Sequence, residues 1–154
     1  MALLKILIFP DPRLRTVAKT VEKVDDKVVR LTEDMLETMY DGSGIGLAAT
    51  QVDVHKRVIV IDISENKDKP LILINPEIEE ITDPIKKSYS EGCLSVPGFY
   101  EELERPGEIK ISFLDINGER QTEVVNDLLS VGVHHEMDQL AGKRLVEFIS
   151  QTTR

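Results

Sequence analysis

The first strongly patterned segment of the chain is an amphipathic helix. Asp25 or Asp26 is suited to cap its start, and the glycines at 42 and 44 end it. Its apolar residues recur at the spacing of one helix face and are expected to pack in the core: Val28, Leu31, Met35, Leu36 and Met39.

The middle of the chain has the pattern of β-strands. Positions 57–63 are β-branched and nearly all apolar, which is typical of a buried strand. Positions 109–113 alternate between apolar and polar residues, as in a half-buried strand, and Asn117-Gly118 favours a tight hairpin turn after it. Asn75-Pro76 is expected to interrupt the pattern. Further short strands are predicted at 71–74, 77–82, 86–90 and 122–125.

A second helix is predicted to begin at Asn126 or Asp127 and to end at Gly142. It runs through Leu128, Leu129, Val133 and Leu140. An early helix, several antiparallel strands and a late helix together predict an α+β fold. The length favours one domain over residues 1–154.

Composition and charge exclude several classes of protein. With 41% hydrophobic residues among 154, the chain is too apolar to be disordered, and no apolar run approaches the ~20 residues of a membrane span. A net charge of −9 argues against direct binding of nucleic acid. Cys93 is the one cysteine, so no intramolecular disulfide is possible. We therefore expect a cytoplasmic protein without a membrane partner.

The late helix carries the first candidate chemistry, in the segment His-His-Glu-Met-Asp-Gln at 134–139. A pattern His-Glu-x-x-His places two imidazoles on one face of a helix, where they hold a metal with the glutamate beside its water. The fifth position here is Gln139. By itself the segment is therefore a weak indication of a metal site.

Two other segments admit both a structural and a chemical interpretation. Cys93 lies in Glu-Gly-Cys-Leu-Ser and is either a small buried side chain, a thiolate ligand, or a nucleophile served by a distant histidine. Residues 44–51 are too small and apolar for a phosphate loop. They form either a tight packed turn or a stretch of backbone that passes close to a ligand and offers the amide of Gln51.

In this order and spacing, the three segments closely resemble the motifs of bacterial peptide deformylases. These motifs are a glycine-rich segment ending in Gln, then Glu-Gly-Cys-Leu-Ser, then a helix with His-Glu-x-x-His. The similarity continues through residues 9–15, 35–40 and 58–62, and so covers nearly the whole chain. It implies a hydrolase that removes the N-formyl group from N-formylmethionyl peptides of nascent proteins. It also implies one divalent metal, usually Fe²⁺, with Zn²⁺ or Ni²⁺ as substitutes.

The resemblance also implies roles for individual residues. Cys93 and His135 match two metal ligands, and Gln139 occupies the position of the third. Glu136 matches the general base that activates the water. The Gln51 side chain and the Leu94 backbone N–H match the donors to the developing oxyanion.

The residues implied to bind the substrate lie in the first two segments. They are Gly44, Ile45, Gly46 and Glu91. Ile45, together with the Leu94 side chain, would line the pocket for the methionine side chain. Glu91 matches a residue that pairs with an arginine as a support, here Arg105.

Gln139 is the main departure from the family pattern, because an amide oxygen is a weaker and harder donor than an imidazole nitrogen. His134 lies about 100° around the helix from His135 and cannot share its ion, and His55 is not expected to replace the missing ligand. Three interpretations stay open: a weakened enzyme that coordinates through the amide oxygen, an inactive relative that still binds peptide, and an engineered substitution in an active enzyme. A more remote alternative is an enzyme that uses Cys93 directly as a redox or nucleophilic residue.

The implied partners are N-formylmethionyl peptides or nascent chains. Many members of the family continue into a long C-terminal helix that has been linked to ribosome docking. This sequence ends at Arg154, and docking by that route stays open.

Overall fold

The computed structural model describes residues 2–143, apart from the side chains at positions 87, 99, 101 and 103. The part of the predicted 1–154 domain at 144–154, including the C-terminal end on which the question of ribosome docking depends, lies outside the described residues. Two α-helices, five strands and two short 3-10 helices make up the described chain. In order, they are a 3-10 helix Pro12–Arg15, α1 Asp26–Asp41, β1 Gly46–Ala48, a 3-10 helix Ala49–Val52, β2 Val58–Ile61, β3 Leu71–Cys93, β4 Val96–Leu114, β5 Arg120–Asn126 and α2 Asp127–Leu140.

The predicted early helix is confirmed as α1, with its boundaries set by local chemistry. The Asp25 side chain accepts a hydrogen bond from the Val28 backbone N–H, which caps the start of the helix. Gly42 is the C-cap. Met35 and Met39 are completely buried, so the methionine pair packs in the core as expected.

The five strands form one antiparallel sheet in the order β1-β2-β3-β4-β5. Each strand therefore pairs with its neighbour in sequence, and the sheet is a simple meander. The observed architecture is the predicted α+β fold, with antiparallel strands, an early helix and a late helix. β1 was not predicted as a strand, because three residues in a glycine-rich segment are too few to show alternation.

The expectation of three short strands between 71 and 90 was wrong. These residues belong to one strand, β3, which runs from Leu71 to Cys93. Asn75 adopts a positive φ of 52°, and the register with β4 shifts between Ile74 and Glu77. The polar Asn-Pro pair thus marks a bulge instead of a strand end, and the Asn75 side chain exchanges two hydrogen bonds with the backbone of Val21.

The helices cover opposite faces of the sheet. In β2, Ile59 and Ile61 pack in the cluster that contains α2 residues, whereas Val58 and Val60 pack in the cluster that contains α1 residues. Burial on both faces explains why this segment is continuously apolar. The late helix α2 is thereby fixed against the sheet, and it carries the third motif.

Among the described residues, no helix has the length and apolar character that crossing a membrane requires.

Candidate active site

The three motif segments meet around one cavity of about 560 Å³. Three parts of the chain form its walls: residues 42–46, which lead into β1; the end of β3 together with the start of β4; and α2. Nine of the ten predicted site residues line it: Gly44, Ile45, Gly46, Gln51, Glu91, Cys93, Leu94, His135 and Glu136. The tenth, Gln139, is buried and contacts the sulfur of Cys93.

The sulfur of Cys93 is the point on which the polar side chains converge. Gln139 Nε2 lies 3.2 Å from Cys93 Sγ and Gln51 Nε2 lies 3.4 Å from it. The side chain of Cys93 also raises the pKa of His135, which places the imidazole near the sulfur. Residues 51, 93, 135 and 139 are therefore brought together although 88 positions separate the first from the last.

His135 is oriented by a carboxylate. Its Nδ1 lies 2.9 Å from Glu91 Oε1, so the carboxylate accepts the Nδ1 proton, and Nε2 is the ring nitrogen that would bind a metal ion after losing its own proton. Burial by itself lowers the pKa of His135, but Cys93, Glu136 and Glu91 together hold that pKa well above its ordinary value.

Glu91 is in turn held by Arg105, as the family resemblance implied. Arg105 Nε and Nη2 each lie 3.2 Å from a Glu91 carboxylate oxygen, and Arg105 Nη1 lies 2.8 Å from Asp138 Oδ2. Burial favours the neutral acid, yet the bonds from His135 and Arg105 keep the pKa of Glu91 below its ordinary value. Sequence reasoning missed Asp138, although its place three residues after His135 on one helix was a usable signal.

Glu136 has the opposite environment. It is 5% exposed, its Oε1 has no hydrogen-bond partner, and burial raises its pKa to about 7. The backbone of Gly46 lies against the carboxylate, since a Cβ at Gly46 would come within 2.6 Å of Glu136 Oε2. The glycine is needed here because any side chain would displace the acid from the cavity wall.

The amide of Gln51 is held by three hydrogen bonds. Its Oε1 accepts from the Ala48 backbone N–H at 3.0 Å, and its Nε2 donates to Ser95 Oγ at 3.1 Å as well as to Cys93. Gln51 and Ser95 are 1% and 2% exposed. Ser95 is the last residue of the cysteine motif, but sequence reasoning gave it no role; its signal was a lone hydroxyl between two apolar residues.

The other two histidines lie outside the cavity. His134 Nδ1 lies 3.2 Å from the backbone oxygen of Ser130, its own helix neighbour, and does not line the cavity. His55 Nε2 lies 2.9 Å from Asp53 Oδ1, and His55 does not line the cavity either.

The donor atoms at this site fit a divalent cation. A cysteine sulfur, an imidazole nitrogen and a carboxamide are gathered in one place, and the Gln139 Oε1 atom is buried without a hydrogen-bond partner. Within residues 2–143, no group of three His, Cys, Asp or Glu side chains is arranged to hold a metal ion. The Gln139 carboxamide beside Cys93 offers an oxygen atom to such an ion.

Comparison with known proteins agrees with this geometry. The family model described as polypeptide deformylase matches residues 3–154. Peptide deformylase from Cellvibrio japonicus is 58% identical over 154 residues, which are all of this chain and 90% of the relative. The crystal structure of peptide deformylase from Thermotoga maritima superposes with a TM-score of 0.90 at 38% identity, covering 96% of this chain and 97% of that one. That of the Ehrlichia chaffeensis peptide deformylase in complex with actinonin gives 0.93 at 38% identity, covering 99% and 92%.

Proposed function

The chain belongs to the polypeptide deformylase family, and we propose that Glu136 is the proton-transferring group with which it removes the formyl group from N-formylmethionyl peptides. The observation that carries this assignment is the buried Glu136 carboxylate, which faces the cavity beside His135 with one oxygen unpaired. Enzymes of this family use a divalent metal, so the acid and a metal site are expected side by side.

Cys93, His135 and Gln139 would hold this metal. Their convergence supports the assignment, as does the Glu91 carboxylate that keeps the proton of His135 on Nδ1. We propose Fe²⁺ as the native ion, with Zn²⁺ and Ni²⁺ as substitutes. When bound, a divalent ion lowers the pKa of a coordinated water, so that a nucleophile is available near neutral pH.

Glu136 is suited to accept the proton of that water and to pass it to the leaving amine. A general base works best when its pKa lies near the operating pH, and burial raises the pKa of Glu136 to about 7. Because its Oε1 is not committed to any protein donor, the proton transfer breaks no existing hydrogen bond.

Gln51 and the backbone N–H of Leu94 would donate to the negative charge that develops on the formyl oxygen. Donors for such a charge work best when they are fixed in advance. The Gln51 amide is fixed by the Ala48 N–H and the hydroxyl of Ser95, so we assign Ser95 as a positioning residue for Gln51.

The apolar part of the cavity would hold the methionine side chain. Ile45, Leu94 and Val131 line it, and Gly44 lets the Leu94 side chain approach the backbone, since a Cβ there would lie 2.8 Å from Leu94 Cδ1. In a mostly apolar pocket of this kind, a small number of polar groups fix the orientation of the ligand. Nascent formylated chains are the proposed substrates and the cytoplasm the proposed location, with the domain extending over residues 1–154.

Gln139 also motivates a second candidate, a protein that binds formylated peptides without efficient turnover. Its amide nitrogen contacts Cys93, and an amide is a weaker ligand than an imidazole. Release of formate from an N-formylmethionyl peptide separates the two candidates.

The protein should be purified without oxygen, analysed for metal and assayed for formate release. We expect close to one Fe, Ni or Zn ion per chain, formate release, and loss of that release with a chelator. Gln139→His should raise both metal affinity and rate, on the order of 10–100-fold in affinity. Protein that binds no metal even with excess Zn²⁺ or Ni²⁺ contradicts the hydrolase. Metal-loaded protein that releases no formate supports the binding protein, and turnover that survives the chelator supports direct use of Cys93.

A further inference from the structure

The two ends of the Gln139 carboxamide have unequal surroundings. Its Nε2 donates to Cys93 Sγ at 3.2 Å, whereas its Oε1 is buried and has no hydrogen-bond partner. Gln139 is 2% exposed, so bulk water does not solvate this oxygen. Burying an amide oxygen without a hydrogen-bond donor costs free energy. Because no donor occupies its lone pairs, this oxygen is available to coordinate a cation.

The orientation of the amide matters for a cation on Cys93. In the structure, an N–H group of Gln139 points at the sulfur, and a second N–H group from Gln51 points at the same atom. Both groups present positive hydrogens to the sulfur, and positive hydrogens repel a cation. A half-turn about the Gln139 Cγ–Cδ bond exchanges nitrogen and oxygen, which are nearly equal in size, and places the oxygen where the N–H group was.

We propose that Gln139 is a two-position residue. Its amide nitrogen contacts Cys93 in one position, and its amide oxygen binds a divalent cation held by Cys93 and His135 in the other. This inference rests on the proposed metal centre. Cation binding then has to break the Gln139 N–H···S bond, so this chain holds its ion less tightly than a variant whose third ligand donates no hydrogen to the sulfur.

The change of ligand also alters which ions the site prefers. Oxygen donors suit harder divalent ions such as Mn²⁺, whereas imidazole suits Zn²⁺ and Ni²⁺. The ratio of Zn²⁺ affinity to Mn²⁺ affinity should therefore be smaller for this chain than for Gln139→His.

A crystal structure of the full chain soaked in Zn²⁺ tests the two positions directly. We expect Gln139 Oε1 at about 2.0–2.2 Å from the zinc, with the Gln139 N–H···S bond broken. Zinc on Cys93 and His135 with Gln139 Nε2 still on the sulfur overturns this inference alone. Crystals with no zinc at Cys93 and His135 overturn the metal centre, and this inference with it.

Affinity for Zn²⁺ in competition with a chromophoric chelator provides a second measurement that does not depend on turnover. Gln139→Glu keeps an oxygen at this position and replaces the N–H donor with a second, negatively charged oxygen, so it should bind Zn²⁺ on the order of tenfold more tightly or better. Gln121→Glu is the matched control, because the Gln121 amide is exposed and donates to Asp115 instead of to the site. Equal affinity in Gln139→Glu and the unaltered chain, with both folded by thermal melt, contradicts the proposal.

Discussion

Two buried carboxylates show how differently the fold treats the same chemical group. Asp62 follows β2 and is 3% exposed, but it accepts hydrogen bonds from Tyr40 Oη at 2.6 Å, Ser64 N at 2.9 Å and Lys69 N at 3.2 Å. Although burial would raise its pKa, the Ser64 hydroxyl, which also donates to this carboxylate, and the other three donors hold the pKa of Asp62 below its ordinary value. Glu136 in α2 is 5% exposed, has an unpaired oxygen, and its pKa is raised to about 7.

The difference separates a structural carboxylate from a chemical one. Asp62 organises the turn that follows β2, because its donors come from both sides of that turn and from α1. Glu136 receives no such compensation, so its burial costs stability and leaves it free to exchange a proton. Burial alone therefore predicts neither role, and the number of donors decides between them.

The largest effect is expected at Glu136. Glu136→Gln should lower the rate of formate release by about 10²–10⁴-fold, because the neutral amide cannot accept a proton. Formate release and thermal unfolding should be measured on the same metal-loaded preparations. Glu123→Gln, on the exposed face of β5, is the control and should behave like the unaltered chain. If the Glu136→Gln protein keeps its activity, a group other than Glu136 transfers the proton and the assignment is wrong.

The pH dependence of stability sharpens the comparison next. Folding raises the pKa of Glu136 from its ordinary value of 4.5 to about 7. The folded state therefore binds more protons than the unfolded state between these two pH values. The free energy of unfolding of chelator-treated protein should thus fall as pH rises from 4.5 to 7, by up to about 3 kcal/mol. Glu136→Gln should remove this fall in denaturant titrations at several pH values. An identical slope in both proteins contradicts the assignment.

Asp62→Ala should produce the reverse pattern. It leaves the Tyr40 hydroxyl and the Ser64 and Lys69 N–H groups without their acceptor, which should lower the free energy of unfolding by about 1–3 kcal/mol. The rate of formate release per folded molecule should not change. Asp68→Ala, at an exposed position of the same turn, is the control for urea titration. Loss of activity without loss of stability would reverse the roles given to the two carboxylates.

The smallest effect is expected at Ser95, which accepts a hydrogen bond from Gln51 and does not line the cavity. Ser95→Ala should lower kcat by about tenfold with little change in KM, because the Gln51 donor is less well placed only for the developing charge. Ser95→Thr keeps a hydroxyl and should recover part of kcat, and the exposed Ser88→Ala should have no effect. A change in KM alone, or no recovery with threonine, would contradict a positioning role.

Much of the architecture follows from local patterns. The period of α1, its Asp25 cap and its glycine end predicted the helix, and the apolar run at 57–63 predicted a buried strand that proved to be β2. The length of β3 could not be predicted from the sequence, because the same residues, Asn75-Pro76, suit either a bulge or the end of a strand. Only pairing with β4 distinguishes them.

The candidate site was likewise predictable from the sequence only in part. The roles of Cys93, His135 and Glu136 were implied by the resemblance to deformylase motifs, but Ser95 and Asp138 had no assigned role until their partners were known. A hydrogen bond between residues that are 30 or 40 positions apart leaves no periodic trace in the sequence.

The sequence by itself determined the kinds of group available to this protein: one thiol, a helix that carries His135 and Glu136, a glutamine in place of a second imidazole, and a strand apolar on both faces. The tertiary structure decided which way those groups face and how many partners each one has. It turned the Gln139 nitrogen toward Cys93 and left the Glu136 Oε1 atom unpaired. The physical reason is that hydrogen bonding and desolvation depend on neighbours supplied by β1, β3 and α2 together, and no segment contains those neighbours alone.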